Sequence, residues 1–367
     1  MKIPIARPFI GDEEKAAICR ILESGMLAQG NEVASFEEEF RTFIGTREAI
    51  AVSNGTTALF VGLKALGIGE GDFVVTTPFT FISSATSILH CGARPLFCDV
   101  DDRTFNLDPN RLEDLLKQKR SIKAIVTVHL YGLPSLMPEI LSLSGRYGVP
   151  VIEDCAQSHG AGIAGKLTGS FGTLSTFSFY PTKNMTTGEG GMITTGELQI
   201  ADRCRMLINH GSRRRYEHET IGYNFRMTDI AAALGRVQLG RLAAFNQKRR
   251  ENAEYFTAAF QSLPGILVPL EPAGYTSVYH QYTLRIALRR DALAGSLAEG
   301  GISTGIYYPI PVHRQPAIQP FIESIDYPRA ENLAREVLSL PIYPLLTDDE
   351  REEIANLVVA FMKGELA

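Results

Sequence analysis

Lys183 sits in Ser178-Phe179-Tyr180-Pro181-Thr182-Lys183-Asn184, and the run Gly188-Glu189-Gly190-Gly191 follows closely. An apolar, glycine-flanked loop is an unusual place for a lysine, which is seldom buried. Burial disfavours the ammonium, and the neutral amine can attack an aldehyde and form an imine. Pro181 stiffens the approach, and the glycines let the backbone pass close to a ligand. The segment alone fits a surface lysine equally well. Asp154 shifts the balance. It ends the apolar run Val151-Ile152-Glu153-Asp154, ahead of Cys155-Ala156-Gln157. A carboxylate there needs a cationic or hydrogen-bonding partner. The protonated ring nitrogen of an electron-accepting cofactor is one such partner; the N–H groups of a following helix are another.

Ser53-Asn54-Gly55-Thr56-Thr57-Ala58-Leu59 reads as a turn that opens a helix. Backbone N–H groups at a helix start, with hydroxyls beside them, suit a phosphate, although most such sequences are only N-caps. Ser178 would add a hydroxyl to the same anion. Phe81, after Thr77-Pro78-Phe79-Thr80, would cover a flat aromatic ring or else pack in the core. The five cysteines (19, 91, 98, 155, 204) are scattered, and no two are spaced as C-x-x-C. They are expected to be reduced and mostly in the core, with no metal site among them.

These residues need a scaffold. Apolar runs at 73–76, 95–100, 124–128 and 149–154 alternate with segments long enough for crossover helices. That rhythm predicts an α/β fold with a largely parallel sheet covered on both faces. Ligands of such sheets bind at the carboxyl ends of the strands, where Thr80, His129, Asp154 and Gln157 fall. From Thr228 a long helix is predicted to about Gln261. An alternating run from Tyr279 to Leu288 follows, then a helix from Asp291 to Glu299. Thr347-Asp348-Asp349-Glu350 has the capping-box form for a terminal helix. The predicted division is a large cofactor-binding domain over 1–240 and a smaller α+β domain over 241–367.

The 367 residues carry a net charge of -5, and no basic run is longer than three residues, as in Arg213-Arg214-Arg215, so nucleic acid is not an expected partner. No run of 18 apolar residues or secretory signal is apparent, so a cytoplasmic protein without membrane contact is expected.

Assembled, these motifs resemble the nucleotide-sugar aminotransferases of the DegT/StrS type, which are fold-type-I pyridoxal-phosphate enzymes. The likeness runs from Pro4 to Pro8 and Gly25 to Gly30 through Ser53 to Leu59, Pro78 to Phe81 and His129 to Gly132. It is densest in Glu153 to Gly160 and Ser178 to Gly191. It persists in Asn209-His210-Gly211, Gly222 to Met227 and Tyr308 to His313. The resemblance implies a mostly parallel seven-stranded sheet with a smaller C-terminal domain. It implies that Lys183 holds pyridoxal 5'-phosphate as an imine and carries the proton. Asp154 would pair with the pyridine nitrogen, Gln157 would lie near the ring hydroxyl, and Phe81 would stack on the ring. Gly55, Thr56 and Ser178 would hold the phosphate. Asn224 would reach the phosphate of the neighbouring subunit, which implies a homodimer with shared sites.

The implied donor is L-glutamate and the implied acceptor a nucleotide-linked keto sugar, for polysaccharide, glycoconjugate or antibiotic synthesis. Asn224 to Asp229 looks more like members acting at sugar C4; a C3-specific enzyme and a non-catalytic regulator are the alternatives. One branch of the family carries histidine at the lysine position and dehydrates its substrate, whereas this chain keeps Lys183. Arg215, Tyr308 and His313 are the candidate substrate contacts.

Overall fold

The apolar runs become strands of one seven-stranded sheet in the computed structural model, which describes residues 2–118, 121–323 and 325–364. Across the sheet the strands are Glu48–Val52, Gly191–Thr195, Leu174–Ser178, Val151–Asp154, Ile122–Val128, Phe73–Thr76 and Arg94–Phe97. Six of the seven point the same way; Gly191–Thr195 alone runs against them, antiparallel to both of its neighbours.

Alternation along each strand divides the core into two layers. Ile50, Val52 and Ile193 pack under the Gly55–Ala65 helix with Leu59, Leu63 and Leu207. Their chain neighbours Ala49, Ala51 and Met192 face the other way, onto Phe36, Phe40, Phe177 and Leu242. Helices therefore cover both faces, as the alternating pattern predicted. The parallel strands also bring their carboxyl ends to one edge.

The helix predicted from Thr228 is Asp229–Phe260, with the Thr228 side chain accepting the N–H of Ala231 as the N-cap. It runs unbroken across residue 240, where the sequence reading placed the domain division. The change of core occurs along the helix itself. Leu242 belongs to the large sheet's core, whereas Ala253, Phe256 and Phe260 pack against the antiparallel sheet of Ile266–Leu267, Tyr282–Ile286 and Val337–Leu340. Ile3 joins this second core, so the N-terminal segment packs with the C-terminal region. The terminal helix Asp348–Met362 has its capping box, Glu350 accepting from the Thr347 N–H and Thr347 from the Glu350 N–H. No helix among the described residues is long and apolar enough to cross a membrane. Four cysteines are buried and Cys19 is exposed.

Candidate active site

A cavity of about 1010 Å³ opens at the carboxyl edge of the large sheet. Gly55, Thr56, Phe81, Asp154, Gln157, Ser178, Lys183 and Tyr308 all line it. Chain segments far apart in sequence thus converge on one space.

Lys183 is carried by a loop tied at both ends and in its middle. The Phe179 N–H donates to the Gly190 carbonyl, and the Thr187 N–H to the Phe179 carbonyl. The Asn184 amide reaches Asn246 on the long helix at 2.8 Å and the Val278 carbonyl at 3.0 Å. Burial lowers the Lys183 ammonium to about 8, against the opposing pull of the Asp154 charge.

Asp154 is buried at the end of its strand. Ser84 donates to one oxygen at 3.0 Å and the Ala156 N–H to the other at 3.2 Å. Burial raises its pKa, an effect these two bonds and the Lys183 charge only partly offset. A cation against this carboxylate would hold it ionised.

Its neighbour Glu153 points to the opposite face of the sheet and is fully committed there. It accepts from His129, Gly169, Phe171, Gly172 and Ser175 at 2.8–3.1 Å. Burial alone would raise its pKa, but the His129 bond and the N–H donors outweigh burial and hold it below the ordinary range. With Cys155 and His129 it forms a close buried trio, in which five donors already satisfy the carboxylate. Glu153→Ala is expected to cost about 3–5 kcal/mol of stability, because buried donors lose their acceptor. Denaturant unfolding checks this, and a midpoint within error of wild type would refute it.

The N-terminus of the Gly55–Ala65 helix supplies an anion cradle. Asn54 caps it, accepting the Thr57 N–H at 2.9 Å, and its carbonyl takes the Ala58 N–H. Among the described residues no acceptor takes the N–H of Gly55 or Thr56. A Cβ at Gly55 would stand 2.7 Å from that of Ser178, so only glycine allows this approach. The Ser178 hydroxyl has one weak partner, the Tyr180 N–H at 3.5 Å.

Pyridoxal phosphate fits this donor set. Free N–H groups at a helix start and a hydroxyl suit its phosphate, a buried carboxylate suits its ring nitrogen, and a largely desolvated lysine suits its aldehyde. Phe81 is 58% exposed on the cavity wall, an open aromatic face beside it. Gln157 already has partners: it accepts the Tyr131 N–H at 2.7 Å and donates to the Tyr308 hydroxyl at 2.8 Å.

Three expected residues stay outside the cavity. His313 is buried between Phe97 and Tyr327 and bonds Glu331 at 3.0 Å, which makes it a core residue rather than a substrate contact. Arg215 lies on the exposed Ser212–His218 hairpin, its guanidinium over the Tyr216 ring. Asn224 is exposed, while Tyr223 and Phe225 on either side stack together and line the cavity. Sequence reasoning missed Ser84, which donates to Asp154 beside the cavity, and Tyr307, His280 and Gln281, which line it. The serine follows Phe81 closely enough to have been found; the others carry no local signal.

Over residues 8–359 the chain matches the model of the DegT/DnrJ/EryC1/StrS aminotransferase family. It is 39% identical to the UDP-N-acetyl-3-dehydro-alpha-D-glucosamine 3-aminotransferase of Acidithiobacillus ferrooxidans, over 96% of this chain and 95% of that one. It is 40% identical to the dTDP-3-amino-3,4,6-trideoxy-alpha-D-glucose transaminase of Streptomyces venezuelae, over 95% of this chain and 91% of the other. The solved structure of S. venezuelae DesV in complex with a ketimine intermediate superposes with a TM-score of 0.92 at 38% identity, covering 96% and 94% of the two chains.

Proposed function

The chain belongs to the DegT/DnrJ/EryC1/StrS aminotransferase family, and from that premise we propose that it transfers an amino group from L-glutamate to the C3 keto group of a nucleotide-linked sugar. It is a pyridoxal-phosphate-dependent aminotransferase acting on nucleotide sugars. The observation that carries the reading is the joint presence of Lys183, Asp154 and the open helix start at Gly55 on one cavity wall. The C3 assignment draws on the two relatives above, whose names both specify the 3-position, and it departs from the C4 expectation raised by Asn224 to Asp229.

Bound pyridoxal phosphate supplies an electron sink for bond breaking at the carbon that bears the amine. The protein's own part is positional and protic. The Lys183 amine takes the proton from the donor's α-carbon and delivers one to the sugar carbon that receives nitrogen. Asp154 keeps the ring nitrogen protonated. Gly55, Thr56 and Ser178 would hold the phosphate, Phe81 would cover the ring, and Gln157 would lie toward the ring hydroxyl. Tyr308, through its bond to Gln157, faces the sugar side.

The test is direct. The purified holoenzyme is expected to be yellow, absorbing at about 410–430 nm, and to bleach with L-glutamate. Incubation with L-glutamate and UDP- and dTDP-linked 3-keto and 4-keto sugars, with products identified by mass and NMR, is expected to yield 3-amino sugars. Amination confined to 4-keto sugars would overturn the C3 assignment, and no amination at all would overturn the function.

The active unit is proposed to be a homodimer in which Asn224 completes the phosphate site of the partner subunit. Its exposure, between two residues that face this chain's own cavity, supports a role directed outward. Mixing inactive Lys183→Ala subunits with inactive Asn224→Asp subunits is expected to restore part of the activity. Each hybrid dimer then has one doubly damaged site and one intact site. With subunit exchange verified by mass-tagged subunits, an inactive mixture would refute sharing.

A further inference from the structure

Arg249 is a buried cation that the proposed reaction does not yet use. It lies on the Asp229–Phe260 helix and is 5% exposed. Its neighbours in kind are paired: Arg250 with Glu271, Arg236 with Glu32 and Glu39, and Arg205 with Glu37 and Glu48. Arg249 has no acidic partner among the described residues. Burial lowers its guanidinium to about 10, and the only group opposing that shift is Tyr307.

One terminal nitrogen of Arg249 donates to the carbonyls of Tyr279 and His280, at 3.2 and 3.1 Å. Its Nε is buried without a partner among the described residues. The residue borders a small cavity of about 20 Å³, and so does Tyr343, whose hydroxyl is likewise buried and unpartnered. Leu340 and Ile342 make the wall between them apolar. Thr182, His280, Gln281 and Tyr307 line both this cavity and the large one, and Thr182 is the chain neighbour of Lys183. The small cavity is therefore a side chamber of the active site, at the end reached by the Lys183 loop.

An unpaired buried guanidinium is costly, and a ligand that brings the counter-charge removes that cost. The phosphate cradle lies elsewhere, at the Gly55 helix start. A chamber this small excludes a nucleoside diphosphate but admits a carboxylate whose stem enters from the main cavity. We propose that Arg249 and Tyr343 receive a carboxylate of the amino donor, an inference that rests on the reading of the donor as an amino acid. The guanidinium supplies charge and a fork of donors, the Tyr343 hydroxyl a further donor, and the apolar wall strengthens both.

The two half-reactions separate this role from a structural one. Conversion of the yellow holoenzyme by L-glutamate reads donor binding; reaction of the amine-loaded enzyme with keto-sugar nucleotide reads acceptor binding. Arg249→Gln is expected to raise the glutamate concentration for half-maximal conversion by about 100-fold, while the corresponding sugar concentration moves less than about threefold. Tyr343→Phe removes a hydroxyl that bonds nothing among the described residues, so the fold should hold, and about a 5–10-fold rise for glutamate is expected. Glutarate, an unreactive dicarboxylate, is expected to bind wild type by calorimetry and not Arg249→Gln. If the variant's defect persists with L-glutamine as donor, the α-carboxylate is the one held; if it disappears, the side-chain carboxylate is. Equal loss in both half-reactions, or glutarate binding unchanged in Arg249→Gln, would overturn the proposal and leave Arg249 as a brace for the 279–280 backbone. Glutarate binding through Arg249 in an enzyme that no amino acid aminates would instead overturn the donor reading.

Discussion

Lys183→Ala is expected to lower transamination by about 10⁴-fold or more, with the fold retained. The residue is both the covalent anchor and the proton carrier of the proposed reaction. The other basic groups nearby are poor substitutes: burial holds His159 at about 3 and His280 well below its ordinary value, and Arg249 is bonded to two carbonyls. Turnover near wild type would refute the assignment. The variant carries a second, independent signature in stability. Burial lowers the ammonium from 10.5 to about 8, so below pH 8 the folded cofactor-free chain holds a charge that its surroundings disfavour. Alanine lacks that cost, and thermal unfolding of the cofactor-free variant at pH 7 should occur no lower than in wild type. The difference should close as pH rises from about 8 toward 10.5, where the unfolded chain also loses this proton. A gap that widens over this range would show that the lysine is not desolvated.

Asp154→Asn is expected to raise the barrier by about 2–4 kcal/mol, a loss of roughly 30- to 1000-fold in kcat, with a small effect on folding. The amide oxygen can still accept from Ser84 or Ala156, so the local bonds are largely kept. It carries no charge to stabilise a protonated ring nitrogen. Glu153 cannot replace it, because its carboxylate faces the other side of the sheet and is held by five donors. The two adjacent carboxylates should thus give opposite phenotypes, activity lost at 154 and stability lost at 153. Unchanged kcat in Asp154→Asn at saturating substrates would make that residue structural.

Local order was legible in the sequence wherever a short-range pattern set it. The helix from Thr228, the terminal capping box and the parallel-strand runs depend on residues within a few positions of one another. The motif residues around Asn54, Asp154 and Lys183 were legible for the same reason, because each segment carries its chemistry in its own residue types. Asp154 was singled out from the Glu153-Asp154 pair by its place at the strand end and by the resemblance; the two residue types alone do not say which carboxylate faces the cavity. Alternation requires the two to point oppositely, but the elements covering each face decide which is which.

Partnerships across the chain belong to the same class. Ser84 reaches Asp154 from 70 positions away, Gln157 meets Tyr308 across 151, and His313 is drawn into the core by Phe97 and Tyr327. Arg249 shows the division most clearly. In sequence it is one of three consecutive basic residues, Lys248-Arg249-Arg250, on a helix. The residue types alone determined that this segment is helical and cationic. Only the packing of the 279–281 and 340–343 segments around that helix decided which of the three is buried, and which is left without an acid, because burial is a property of what surrounds a side chain rather than of the side chain itself.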